Sequence, residues 1–283
     1  MKKDIVVSVT RAILEQLEAG TPPWHRAWAG GGGGGGLPRR ATGEPYRGIN
    51  VFILMMAGQP SPWWLTYKQA AAVGGQVRQG ERGTGIVFFR PIEVPDRDRD
   101  GETKTIPMAR GYTVFNASQC DGLPPRYNPP PAAPRNSGER LADVDAYIAG
   151  TGAVIRHGGD RAFYQPGADM IGIPDAQQFD DPAAYYATLL HECTHWTGAA
   201  ARLDRRLSYA EEELVAEMGA ALLCATLDVS LTPRADHAAY IAAWIEQIRG
   251  GDNRLIFRAA AAAQRAVDYL DALQQPAAAQ RAA

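Results

Sequence analysis

The 283 residues, 46% hydrophobic and 21% charged, suffice for one large or two ordinary globular domains, and no run of about twenty apolar residues marks a membrane span. The three scattered cysteines, Cys120, Cys193 and Cys224, argue against a disulfide framework and fit a reducing compartment. With a start that is amphipathic rather than apolar, a soluble cytoplasmic protein is expected.

In chain order, Ile5, Val9, Ile13 and Leu17 have helical spacing, and Gly20 with Pro22-Pro23 ends that helix. The seven glycines from Gly30 to Gly36 read as a flexible loop, since no Lys-Ser/Thr and no helix start follow as a phosphate loop requires. Ile49–Met56 and Thr66–Val73 read as short helices. Gly85–Arg90 and Arg110–Asn116 read as strands flanking an exposed, charged loop from Pro95 to Gly101. Proline dominates 123–134 and predicts a stiff linker. Beyond it, Ala142–Gly150 is a helix, and Ala153–Arg156, Ala162–Gln165 and Met170–Ile173 are strands. Asp181-Pro182 caps and opens the next helix, and Ser208-Tyr209-Ala210-Glu211 is a capping box opening another. Thr232-Pro233 opens a third, ended by Gly250-Gly251. An alanine-rich helix from about Asn253 to Leu273 closes the pattern, with a frayed tail after Pro276. The expected fold class is α+β in two parts: a mixed α/β domain over 1–122, a linker over 123–138, and a mostly helical domain with a small sheet over 139–275.

His191-Glu192-Cys193-Thr194-His195 carries the strongest chemical signal. Two histidines four apart on a helix project from one face and can share one zinc ion, while Glu192 can act as general base on a water. Zinc needs a third ligand and an open fourth position. In Glu211-Glu212-Glu213-Leu214-Val215-Ala216-Glu217, Glu213 and Glu217 share a helix face. Glu213 is assigned as the ligand and Glu217 as the acceptor for a histidine N–H, with the swapped assignment open. Glu211 and Glu212 are accounted for by the positive end of the helix dipole. Zinc is the expected metal, with another divalent ion such as Mn2+ as the alternative.

Residues 1–130 hold 16 Lys+Arg against 11 Asp+Glu, and the remaining residues hold 13 against 20. The basic half is therefore the candidate for a polyanion partner, although such a balance is also within ordinary surface variation. Arg39, Arg40, Tyr46, Arg47, Trp63, Trp64, Tyr67, Lys68, Arg78, Arg82 and Arg90 mix cations with rings. Single-stranded nucleic acid is gripped in this way, and a core with a solvated face has the same composition.

Several segments together resemble one family. Thr21-Pro22-Pro23-Trp24, Pro45-Tyr46-Arg47-Gly48-Ile49-Asn50, Trp64-Leu65-Thr66-Tyr67-Lys68-Gln69, Gly74-Gly75-Gln76-Val77-Arg78, Gly80-Glu81-Arg82-Gly83 and Tyr112-Thr113-Val114-Phe115-Asn116 resemble the N-terminal domain of the ArdC-type antirestriction proteins. Tyr185 to Glu192 and Glu213 to Glu217 resemble that family's zincin-like domain. The resemblance implies a protein of plasmids, phages and other mobile elements. Its N-terminal domain would bind single-stranded DNA. Its second domain would resemble metallopeptidases, including those that degrade proteins crosslinked to DNA, and the role would be protection of incoming DNA from restriction. The family motif carries over at His191, Glu192, His195 and the acidic helix. The glycine run and the short connection between His195 and Glu213 depart from the pattern, and the second departure bears on the third ligand. Two rival readings stand beside the peptidase: a non-catalytic single-stranded-DNA shield with a structural metal, and a protease without DNA affinity. A protein substrate is implied by both protease readings and not by the shield.

Overall fold

The computed structural model describes residues 5–20, 22, 24, 36–95, 103–129, 141–229 and 237–274. The expected glycine loop, the tip of the charged loop, most of the proline linker, the Thr232-Pro233 helix start and the tail lie outside the described residues, apart from Gly36, Pro95 and residues 123–129.

Helix α1 (Ile5–Glu18) buries Val9, Ile13 and Leu17, the stripe its spacing predicts. Helix α2 (Ile49–Met56) buries Ile49 and every residue from Val51 to Met55. Its Asn50 side chain donates to the Val87 carbonyl at 2.7 Å and accepts from the Val87 N–H at 2.8 Å, fastening the helix to a strand edge. Strands β1 (Arg39–Arg40) and β2 (Trp63–Leu65) are too short to show alternation in the sequence. Helix α3 (Tyr67–Ala72) starts on a complete Thr66/Gln69 capping box. Strands β3 (Gln76–Val77) and β6 (Cys120–Asp121) pair with each other. The two expected strands are longer than predicted. They form β4 (Thr84–Pro95) and β5 (Thr103–Asn116), an antiparallel ribbon paired from Thr84↔Val114 to Pro95↔Thr103. The first sheet has the order β1-β2-β5-β4.

The proline stretch begins as packed chain. Tyr127 is fully buried with Leu65, Val77 and Ala117, its ring edge-on to Trp63, and its carbonyl accepts from Ser61 Oγ at 2.8 Å. A buried ring holds this segment against the N-terminal half, which proline content alone does not reveal.

Helix α4 (Ala142–Gly150) leads to a second sheet of order β7-β9-β8. In it, β7 (Val154–His157) runs parallel to β9 (Met170–Ile173), and β8 (Phe163–Gln165) is an antiparallel edge strand. Helices α5 (Pro182–Thr197), α6 (Tyr209–Leu227), α7 (His237–Arg249) and α8 (Leu255–Leu273) complete the chain. The alanines of α8 are a packing device: Ala259, Ala260, Ala262, Ala263 and Ala266 are buried, letting α5 and α6 approach closely. One buried cluster runs from Val9 to Leu270 and joins both halves. Trp24 stands edge-on to Phe52 and to Trp244 of α7, and the Gly48 N–H donates to Gln264 of α8 at 2.9 Å. No helix among the described residues is long and apolar enough to cross a membrane.

Candidate metal centre

Helix α5 begins as its sequence requires, with Pro182 in the first turn and the Asp181 side chain accepting from the Ala184 N–H at 2.8 Å. Nearly every later residue of α5 is buried, including His191 and Glu192. Helix α6 starts on the Ser208/Glu211 capping box and crosses α5 where Gly219 meets Thr194. That crossing brings Glu213 over the histidine pair.

The two Nε2 atoms of His191 and His195 are 3.1 Å apart. Glu213 places Oε2 3.5 Å from His191 Nε2 and Oε1 3.5 Å from His195 Nε2. Ligands about 2.0–2.1 Å from a tetrahedral zinc lie about 3.3 Å from one another, and one donor atom from each of the three residues lies within 4.8 Å of the others, close enough to converge on one ion. The donor set, two imidazoles and one carboxylate, suits a divalent ion, and these three are the group that can hold one among the described residues. Cys193, inside the motif, points into the core, and burial pushes its thiol up to about 12, which makes it an inert packing residue.

Each histidine also has a carboxylate at its other nitrogen. His191 Nδ1 lies 3.3 Å from Glu217, off the line of a hydrogen bond, and His195 Nδ1 lies 3.3 Å from Glu212. Arg205 holds Glu212 with two bonds of 2.6 and 3.0 Å. It also donates to Thr197 Oγ1 and to the Thr194 carbonyl, both at 2.6 Å. Burial disfavours charge on both His195 and Glu213. Hydrogen bonds outweigh it, raising His195 to about 9 through Glu212 and Glu213, and holding Glu213 well below the usual carboxylate range through His191 and His195. Glu213 is thus a carboxylate at any neutral pH.

In the sequence Glu212 is accounted for by the helix dipole, and nothing marks Arg205. The available signal was an accounting one: two ligating histidines each need a partner for the remaining ring nitrogen, and Glu217 serves only one.

The triangle opens onto a cleft of about 930 Å3. His191, Glu192 and Glu213 form part of its floor, edge-strand residues Phe163 and Tyr164 one wall, and Tyr209 with Tyr240 another. The Tyr209 and Tyr240 hydroxyls are 2.8 Å apart. That bond, burial and the nearby Glu213 charge raise the Tyr209 phenol, which stays protonated.

The basic and aromatic set of the N-terminal half divides by burial. Tyr46 and Trp64 are buried, and Trp63 is half-buried. Arg47 pairs with Asp268, and Arg78 pairs with Glu81 and Asp121. Arg39, Arg40, Tyr67, Lys68, Arg82 and Arg90 are exposed, with Arg40 bound to Glu44 at 3.3 Å.

Residues 3–115 match the family model for the N-terminal domain of anti-restriction factor ArdC, and residues 142–262 match that for a zincin-like metallopeptidase. The crystal structure of the antirestriction ArdC protein from R388 plasmid is similar in its metal-free form, with 44% identity, a TM-score of 0.82, and coverage of 95% of this chain and 97% of that one. Its Mn(II)-bound form is 42% identical with a TM-score of 0.78. The uncharacterized protein y4eC of Sinorhizobium fredii is 40% identical over 97% of this chain and 94% of its own length. Two Escherichia coli proteins named DNA primase TraC are also 40% identical over 97% of this chain, but the chain spans only 28% and 20% of their lengths.

Proposed function

Because the chain belongs to the ArdC antirestriction family, we propose that it protects incoming DNA of a mobile element, binding single strands through its N-terminal half and carrying a zinc-dependent peptidase centre in its C-terminal half. The observation that carries the peptidase reading is the three-donor triangle of His191, His195 and Glu213 opening onto a cleft beside Glu192. A structural zinc is closed by four protein ligands, whereas a catalytic one keeps a position open to the cleft.

His191 and His195 would hold the ion through Nε2 and Glu213 through its carboxylate, with Glu217 and Glu212 orienting the rings. When bound, zinc polarises a carbonyl and lowers the pKa of water. Glu192 takes the proton of the attacking water and hands it to the leaving amine. The phenol of Tyr209 donates to the carbonyl oxygen as negative charge develops there. Strand β8 is an edge strand at the cleft among the described residues, so an extended peptide can add to the sheet and present its backbone to Glu192. On the N-terminal side, exposed Arg39, Arg40, Lys68 and Arg82 suit phosphates, and exposed Tyr67 suits a base.

The test compares wild type, Glu192→Gln and His191→Ala for zinc content and for cleavage, with and without oligothymidylate, of the chain itself and of an added histone. Zinc near one per chain should survive Glu192→Gln and be lost in His191→Ala. Cleavage should fall about 100-fold or more in Glu192→Gln. If Glu192→Gln changes nothing while single strands still bind, the protein is a DNA shield with a structural metal.

A further inference from the structure

The β4–β5 ribbon has two chemically different faces. Strand alternation puts Val87 and Phe89 on one face, opposite Gly111 and Ala109. Near its base that face meets the core: Val87 is buried, Ile5 of α1 lies against Gly85 and Gly111, and Phe89, still 42% exposed, lies edge-on to Phe257 of α8. The other face is closed at its base by buried Val114 and half-buried Ile86, and opens to solvent beyond them. It carries Ile86, Phe88 and Arg90 opposite Tyr112, Arg110 and Met108.

On this outward face Phe88 is 54% and Tyr112 46% exposed, with the rings edge-to-face at 6.2 Å. Arg90 and Arg110 are exposed beside them and make no ion pair among the described residues. The register positions of this face, from Thr84 to Val94 and from Lys104 to Val114, include Arg90, Lys104 and Arg110 and no acid. The single acid of the two strands, Glu93, falls on the opposite face. A solvated ribbon needs neither feature. Cross-strand pairs of opposite charge would stabilise it equally and keep it soluble, whereas exposed rings among cations with no ion pair among the described residues leave apolar area in water and like charges side by side.

We propose that this face is a stacking platform for single-stranded nucleic acid, with bases against Phe88 and Tyr112 and backbone phosphates along Arg90 and Arg110. It rests on the single-strand reading above and places the main contact on the ribbon, away from the Arg39 and Lys68 region. Rings flanked by cations are the chemistry that grips unpaired bases without reading their sequence, and paired bases inside a duplex present no face to such rings.

The test is fluorescence anisotropy of labelled oligothymidylate with the whole chain over a series of salt concentrations. Both double variants, Phe88→Ala with Tyr112→Ala and Arg90→Ala with Arg110→Ala, change exposed side chains, and a thermal melt checks that each is folded. The ring variant should lose about ten-fold or more in affinity with an unchanged salt slope, because it removes stacking and neutralises no phosphate. The arginine variant should lower the slope of log K against log salt by about 1.4, two phosphates at about 0.7 each for single strands. If wild type binds and both folded variants bind like it, the platform is wrong while the single-strand reading stands on other residues. If wild type does not bind oligothymidylate at all, the single-strand reading itself fails. A duplex of equal length competing as well as the single strand, or a wild-type dimer that the ring variant dissociates, would also overturn the platform.

Discussion

Gly219 sets the separation of the two helices that carry the metal donors, so a single methyl group there should disable the site. A Cβ at position 219 would lie 2.5 Å from Thr194 Cγ2, 2.7 Å from its Oγ1 and 3.1 Å from its Cβ. Thr194 cannot turn away. Both branches face the glycine, and Oγ1 donates to the Leu190 carbonyl at 2.9 Å. Ordinary contact begins at 3.4 Å, so α5 and α6 must part by about 0.9 Å. Overpacking of this kind costs about 1–3 kcal/mol, and alanine's better helix propensity returns about 0.5–1 kcal/mol of it. The melting temperature of Gly219→Ala should therefore fall by only a few degrees. The decisive readout is metal affinity. Glu213 lies less than two turns from Gly219, and parting the helices stretches its 3.5 Å reach to both histidines towards about 4.4 Å, where one ion no longer spans the three donors. Zinc affinity, measured by competition with a chromophoric chelator, should fall at least about ten-fold. Adding Thr194→Ala removes the two closest atoms and should restore most of it. Wild-type affinity in Gly219→Ala, or no recovery in the double variant, would refute the spacing argument.

Two further outcomes follow from the same geometry. Arg205→Met should lower zinc affinity about 10–100-fold by releasing Glu212 from His195, and Arg205→Lys should recover little, because a lysine cannot hold Glu212, Thr197 and the Thr194 carbonyl at once. The same chelator competition checks both, and unchanged affinity in Arg205→Met would remove Arg205 from the site's support. Trp244→Ala should cost about 3–5 kcal/mol, since the ring contacts Trp24 and Tyr240 and its Nε1 donates to the Ala210 carbonyl at 2.7 Å. Calorimetry should show one transition moving down as a unit. Two separate transitions with only one displaced would mean that the shared core does not couple the halves.

The features legible in the sequence are those fixed within one element. The His191 and His195 pair needs only a helix, and Asp181-Pro182 announces that helix; Ser208 and Glu211 announce the next in the same way. The stripe of α1 was equally plain, because burial repeats at the helical period. What stayed hidden depends on how elements meet. Glu212 and Glu217 are both acids on α6, and only the crossing at Gly219 shows that one serves His195 and the other His191. Arg205 lies in the connection between the helices, where no period marks a residue as buried. The short length of that connection, which put the third ligand in question, is the reason Arg205 can reach back to Thr194 and Glu212 together.

The ribbon shows the same limit more sharply. Phe88-Phe89 breaks simple alternation, so either ring could have been the buried one. Neither ring is buried, but Phe89, 42% exposed, is the one that reaches Phe257, because glycine at 111 and alanine at 109 leave room for α1 and α8 on that side. Small residues on one strand thus decide which large residue on its partner reaches a neighbouring helix. The composition of the open face follows from where the closed face had to pack, and for that reason the rings and arginines there are free to answer to a ligand rather than to the core.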